Sequence, residues 1–173
     1  MNKKAKIVIP LGIFLIIIYI FLSARPLGKE LHFIPQWTVD ISRPVKAVTD
    51  SPEDYDKAIP FKLGQMLGYF TEDGRVLQST SFDYKATVSK TAYSAYSTHS
   101  ENIPVYAPRG SKIASIEKTG FPFFTDDGRY LFLPGGSSFS KLDEGGTIAW
   151  TYESYAPITA FATSSSGCAV GFA

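Results

Sequence analysis

Two histidines, 16 carboxylates and one cysteine are the side chains with the widest chemical reach in this 173-residue sequence. A covalent catalyst would need one of them beside an activated hydroxyl or thiol. His99 sits in the polar stretch Ser97-Thr98-His99-Ser100-Glu101, and His32 in His32-Phe33-Ile34. Serines are common, but no Gly-x-Ser-x-Gly elbow presents one to either ring. Glu72-Asp73 and Asp126-Asp127 have the composition of acid–base pairs. Each pair directly precedes a glycine, and a turn already accounts for it. Asp50, Glu53, Asp54 and Asp56 are hard oxygen ligands of the kind calcium takes. They lack the spacing and central glycine of an EF-hand loop, so a solvated acidic loop is the simpler reading. Gly135-Gly136 and Gly145-Gly146 lack the Lys-Ser/Thr of a phosphate loop. Cys168 alone can form no internal disulfide and no multi-thiolate zinc site. No catalytic, cofactor-binding or metal-binding residue is assigned, and no cofactor is expected.

The acidic-Gly turns belong to a phrase that occurs twice. Phe70-Thr71-Glu72-Asp73-Gly74-Arg75-Val76-Leu77 returns 54 residues later as Phe124-Thr125-Asp126-Asp127-Gly128-Arg129-Tyr130-Leu131. An apolar approach, a turn and a second apolar run together signal a β-hairpin. The glycine is expected to supply a positive φ. Phe161–Val170 is a weaker copy turning at Gly167, 39 residues after Gly128. Recurrence at about 40–50 residues, with several short strands per period, marks propeller blades. Asp73, Gly74, Asp127, Gly128 and Gly167 are thus expected as structural turn residues.

The strands that must carry these turns can be read in order. Gln65–Phe70 enters the first turn and Val76–Phe82 leaves it. Lys85–Tyr96 is one long strand or two. Asn102–Tyr106, the turn Pro108-Arg109-Gly110 and Lys112–Glu117 follow. Between Gly120 and Tyr152 four strands are joined by short turns, which makes one blade. Tyr130-Leu131-Phe132-Leu133 is a continuous apolar run suited to a central strand. Tyr93, Tyr96, Tyr106, Phe121, Phe123 and Phe124 are read as core or cross-strand pairs before a binding surface. No helix is expected after residue 24.

Ile7–Leu22 reads IVIPLGIFLIIIYIFL and carries no charge. With Ser23-Ala24 it reaches 18 residues, within the ~17–25 of a transmembrane helix. Lys3, Lys4 and Lys6 precede it, which places the N-terminus in the cytoplasm. The rival is a cleaved signal peptide, for which the apolar core is long and Leu22 a poor cleavage-site residue. Either reading exports the rest. After removal of those three lysines the balance is 14 basic to 16 acidic residues, giving no basic face for nucleic acid. Residues 25–60 carry five prolines and read as a stalk with a lead-in strand. Trp37 is expected to pack on the domain rather than on lipid.

The segment Ile158-Thr159-Ala160-Phe161-Ala162-Thr163-Ser164-Ser165-Ser166-Gly167-Cys168-Ala169-Val170 resembles the opening hairpin of a WD-repeat blade, with Ser166 where that pattern has Asp. Leu142-Asp143-Glu144-Gly145-Gly146-Thr147-Ile148-Ala149-Trp150-Thr151-Tyr152 resembles the tail of a pyrroloquinoline-quinone-type blade. That resemblance implies that Trp150 docks against the neighbouring blade. The Gly-His and Trp-Asp dipeptides of strict WD repeats are absent.

The expected protein is all-β: a partial β-propeller of about two four-stranded blades following one transmembrane helix. Residues 1–6 form a cytoplasmic tail, 7–24 a signal anchor, 25–60 the stalk and 61–173 the blades. Two blades cannot close a ring, and the last hairpin is cut at Ala173, so the sequence reads as an N-terminal fragment. Assembly with other chains, or a small β-sandwich on a stalk, are the alternatives. The expected function is a binding platform for a protein or envelope component at the cell membrane, held by the bilayer through residues 7–24, without catalysis. A membrane-bound quinoprotein dehydrogenase, with its cofactor site in further blades, is the competing class.

Overall fold

In a computed structural model the described residues are 5–23, 34–47 and 52–173. They fall into two compact units, 1–36 and 37–173. Lys3, Lys4, Ala24, His32, Phe33 and Asp50, invoked above, lie outside the described residues.

The first unit holds helix α1, Ala5–Ser23. Its nine side chains from Ile13 to Phe21 are all exposed and all apolar or aromatic. No polar stripe divides its circumference, so it lacks the amphipathic pattern of a helix lying on a soluble core. At 1.5 Å per residue its 19 residues extend about 28 Å, just under a hydrocarbon core of ~30 Å. Among the described residues no helix is long and apolar enough to cross a membrane.

The second unit is a row of antiparallel sheets. The first contains β1 (Ile59–Leu63), β2 (Met66–Phe70) and β3 (Val76–Ser81), in that order. Val45 extends it: its N–H donates to the Ser79 carbonyl at 3.1 Å, and the Ser79 N–H donates back at 2.8 Å. The lead-in segment therefore occupies the fourth position, beside β3. The second sheet is β4 (Lys85–Val88), β5 (Tyr93–Tyr96), β6 (Ile103–Tyr106) and β7 (Lys112–Ile116). The third is β8 (Phe121–Phe124), β9 (Arg129–Phe132), β10 (Ser138–Leu142) and β11 (Ile148–Glu153). A hairpin of β12 (Ile158–Ser164) and β13 (Gly167–Phe172) follows. Three sheets and a hairpin thus replace the expected two blades. A five-residue helix, α2 (Pro52–Asp56), corrects the expectation of no helix after residue 24. Two acidic residues in its first turn suit the positive end of the helix dipole.

Side chains joining successive sheets fix their relative direction. The Tyr69 hydroxyl donates to the Ser89 carbonyl at 2.9 Å, and the Phe124 N–H to Thr87 Oγ1 at 3.1 Å. Lys85 Nζ lies 4.7 Å from the Phe121 ring centre. Phe123 meets Phe161 at 5.8 Å, and Thr163 Oγ1 donates to Thr125 Oγ1 at 3.1 Å. Residue numbers rise together from β4 to β8 and from β8 to β12, and Lys62, which pairs with Leu67 of β2, donates to the Ala86 carbonyl at 2.9 Å, below Tyr69 and Ser89, so β2, β4, β8 and β12 run side by side in one direction. Each leads into a hairpin turn at the same edge. From Lys85 to Phe121 and from Phe121 to Ile158 the chain advances 36 and 37 residues, the true repeat. The 54-residue interval spans an intervening hairpin, β4–β5. Its turn, Ser89-Lys90-Thr91-Ala92, has neither acid nor glycine and closes through Ser89 N–H to Ala92 O at 2.8 Å.

The second and third sheets are apolar on both faces. Leu67, Tyr69 and Leu77 pack with Phe82, Ala86 and Tyr93 between the first and second sheets. Ile103, Val105 and Ile116 pack with Phe124, Leu131 and Leu142 between the second and third. The other face of the third sheet is aromatic. Phe132, Phe139 and Tyr152 stand in register across β9, β10 and β11, and Phe161 of β12 lies 4.9–5.8 Å from Phe123, Tyr130, Phe132 and Phe139. Such offset and edge-on ring pairs each add about 0.5–1.5 kcal/mol beyond burial.

The repeated glycines are not equivalent. Gly74 has φ +87° and lies beneath the Trp37 ring, which an added Cβ would strike. Gly128 and Gly167 are outside the left-handed region, which corrects the expected positive φ at those turns. An added Cβ at Gly128 would come no closer than 3.3 Å, to the Tyr130 ring. Gly74→Ala is therefore expected to cost about 2 kcal/mol or more, and Gly128→Ala under ~1 kcal/mol, in urea unfolding. Equal losses would contradict the difference between the turns.

Burial pushes the Tyr69 hydroxyl well above its ordinary pKa of 10.0, with Tyr93 adding to the shift. Burial also raises Tyr93 and Tyr96. The unfolded chain releases these protons near pH 10 while the fold retains them, so the stability they contribute is full below pH 10 and falls above it. Unfolding free energy should drop steeply between about pH 9.5 and 11, with the buried tyrosines' share of the tyrosinate absorbance appearing only as the fold is lost. Tyrosinate forming fully while the fold persists would contradict this burial.

Candidate binding rim

Because β2, β4, β8 and β12 are parallel, their four turns line one edge. The β6–β7 and β10–β11 turns return to the same edge, two reversals later. Helix α2 is tied to it: the Arg75 guanidinium donates to Asp54 Oδ2 at 2.5 Å. Tyr55 of α2 is buried and its hydroxyl donates to the Leu77 carbonyl at 3.3 Å.

Two adjoining depressions mark this edge. One, of about 540 Å³, lies among Tyr55, Asp56, Lys90, Thr91, Arg109 and Asp126. The other, of about 340 Å³, shares Thr91 and Asp126 and continues past Asp127, Arg129, Lys141 and Glu144. Lys90 Nζ is 3.2 Å from Asp126 Oδ2, and the Lys90 N–H donates to Asp126 Oδ1 at 3.3 Å. The Arg129 guanidinium donates to the Glu144 carbonyl at 2.9 Å, joining two turns. Arg109 lies over the Tyr55 ring, its Cζ 5.1 Å from the centre. The result is a shallow groove of alternating charge, built on turns of a packed β scaffold.

The expected turn residues sit along this edge. The Thr71 hydroxyl bonds Asp73 and holds its carboxyl below the usual carboxylate range. Trp37 covers Gly74: its Nε1–H donates to the Glu72 carbonyl at 3.1 Å and its ring meets Phe70 edge-on at 5.4 Å. Trp37 therefore packs on the domain, as its sequence context implied. Asp127 is exposed, and the Gly128 carbonyl accepts the Thr125 N–H at 2.9 Å. The Gly167 carbonyl accepts the Ser164 hydroxyl at 3.4 Å. Trp150 lies elsewhere, on β11, 5.6 Å from Phe139 of its own sheet and 42% exposed.

The residues weighed for chemistry do not converge. His99, in the β5–β6 turn on the opposite edge, has Nδ1 3.0 Å from the neighbouring Thr98 hydroxyl. Asp54 engages Arg75, and among the described residues no three His, Cys, Asp or Glu side chains group as metal ligands. The residues the sequence did not single out are Tyr55, Lys90 and Arg109. Pro108-Arg109-Gly110 was legible as a turn; its neighbour across the groove was not.

A family profile described as "beta-propeller protein" matches residues 1–173. An uncharacterized protein of Treponema pallidum (strain Nichols) is 35% identical over 163 residues, which cover 91% of this chain and 43% of that protein. The chain thus spans less than half the length of this relative. A crystal structure of a protein of unknown function from Bacteroides caccae matches 51% of this chain and 38% of that one, at 19% identity and a TM-score of 0.37. Side-by-side antiparallel sheets at a 36–37-residue repeat, together with a family match over the full length, identify the chain as a member of a beta-propeller protein family.

Proposed function

We propose that this chain is part of a membrane-anchored, extracytoplasmic binding platform whose rim groove receives a protein partner. The observation that carries the reading is the groove itself: two linked depressions of mixed charge, built from turns that a packed scaffold holds in place. Binding residues are commonly carried on loops that a rigid framework positions. A shallow surface of interspersed charges suits another protein better than a small apolar ligand, which favours a concave apolar pocket.

The anchor is residues 7–24. Nine successive exposed apolar or aromatic side chains on α1 support it, because water is a costly surrounding for such a surface. The uncharged run 7–24 reaches the ~17–25 residues that a transmembrane helix needs. Lys3, Lys4 and Lys6 favour a cytoplasmic N-terminus, which puts the sheets on the far side.

A photoreactive amino acid at Thr91, where the two depressions meet, should crosslink one discrete protein in membranes of the natural host. The same group at His99, on the opposite edge, should not. The chain should stay in the membrane pellet after alkaline extraction. No adduct at Thr91, or equal adducts at both positions, would contradict the platform. Release by alkali would contradict the anchor.

A further inference from the structure

Arg109 is a cation held in place without an anion. Its guanidinium lies over the Tyr55 ring, and neither an ion pair nor a hydrogen bond occupies it among the described residues. The ring beneath is fixed twice, by burial and by the hydroxyl's bond to the Leu77 carbonyl at 3.3 Å. The backbone that carries Arg109 is also constrained. Pro108 fixes its own φ. Gly110 takes φ +84°, its N–H donating to the Ala107 carbonyl at 2.8 Å, and the Ala107 N–H donates to Ser111 O at 2.9 Å. The turn backbone and the Tyr55 ring thus restrict the arginine before any ligand arrives, which favours binding.

Across the cleft Lys90 is already engaged by Asp126. Asp56 lines the same cleft and contributes a negative charge. The charges available to a ligand are one open guanidinium fork and a nearby carboxylate. A singly charged planar carboxylate matches the fork in two parallel hydrogen bonds. A doubly charged phosphate would meet stronger repulsion from Asp56.

Building on the platform reading, we propose that this cleft recognises a carboxylate in a peptide segment of the partner, with Arg109 as its anchor. The carboxylate replaces water at the guanidinium N–H groups, while Tyr55 keeps the plane oriented. Asp56 disfavours a second negative charge beside the first, so the segment carries an isolated acidic residue rather than an acidic run.

The test uses the full chain in detergent micelles, with the Arg109 Nε–H resonance as reporter. The probes are the capped tripeptide Gly-Asp-Gly, its Gly-Asn-Gly analogue and inorganic phosphate. The Asp peptide should give a saturable shift, and the Asn peptide and phosphate should bind at least about fivefold more weakly. Arg109→Lys keeps the charge but loses the fork and the stacking; read at the backbone amides of Thr91 and Gly110, which wild type and variant share, it should bind the Asp peptide about tenfold more weakly, with resonances away from the cleft unmoved. No saturable shift, phosphate binding as well as the Asp peptide, or an unaffected Arg109→Lys variant would overturn the proposal. If the Thr91 crosslink survives in Arg109→Lys at wild-type yield, the platform stands and the carboxylate anchor falls.

Discussion

The second and third sheets must be covered on both faces. A twisted four-stranded sheet such as β8–β11 presents Phe124, Leu131 and Leu142 on one side and Phe132, Phe139 and Tyr152 on the other. Neither side can be left in water cheaply. The first is closed by β4–β7 and much of the second by Phe161 of the next hairpin. Face-to-face stacking therefore sets the positions of the sheets. The second sheet, the third sheet and the last hairpin repeat the same up-and-down order, so stacking makes β4, β8 and β12 parallel, and in the first sheet the second strand, β2, takes that direction. The alignment of the turns along one edge follows from that.

The edge inherits rigidity from the stack. Tyr55 is pinned to β3 through Leu77, and its ring supports Arg109 from another sheet. Lys90 of the second sheet is engaged by Asp126 of the third. Exposed pairs of this kind add little stability, of the order of 0–1 kcal/mol each. Their value lies in position: they hold charged groups from different sheets around one groove. The groove and the packing are thus separate layers, with apolar faces deciding where the sheets go and polar turns deciding what the edge presents.

Much of the fold was legible because hairpin chemistry is local. The phrase around Asp73-Gly74 and Asp127-Gly128 marks two true hairpins, and Gly167 a third. The β4–β5 turn was hidden because Ser89 closes it with its own hydroxyl and backbone, needing no glycine. That omission made 54 residues look like one period. The two glycines of the phrase also differ for a non-local reason: Trp37, some 35 positions away, covers only the first. Helix α2 was missed because a one-turn helix is too short for periodicity to register. The groove was illegible for a similar reason. Arg109 reads in sequence only as a turn residue because the ring that receives it, Tyr55, is distant in sequence and arrives only through folding.

The most direct test of the stacked, parallel arrangement is a disulfide between neighbouring leading strands. Thr125 and Thr163 bring their Oγ atoms to 3.1 Å, and Cys168 is the chain's single cysteine. In a Cys168→Ser background, Thr125→Cys with Thr163→Cys should close under mild oxidation and give a faster-migrating band that reductant reverses. Thr163→Cys paired with Ser97→Cys, on the opposite edge, should stay open. Closure of the first pair alone is what parallel β8 and β12 require. Failure of that pair, or closure of both, would contradict the arrangement on which the rim depends.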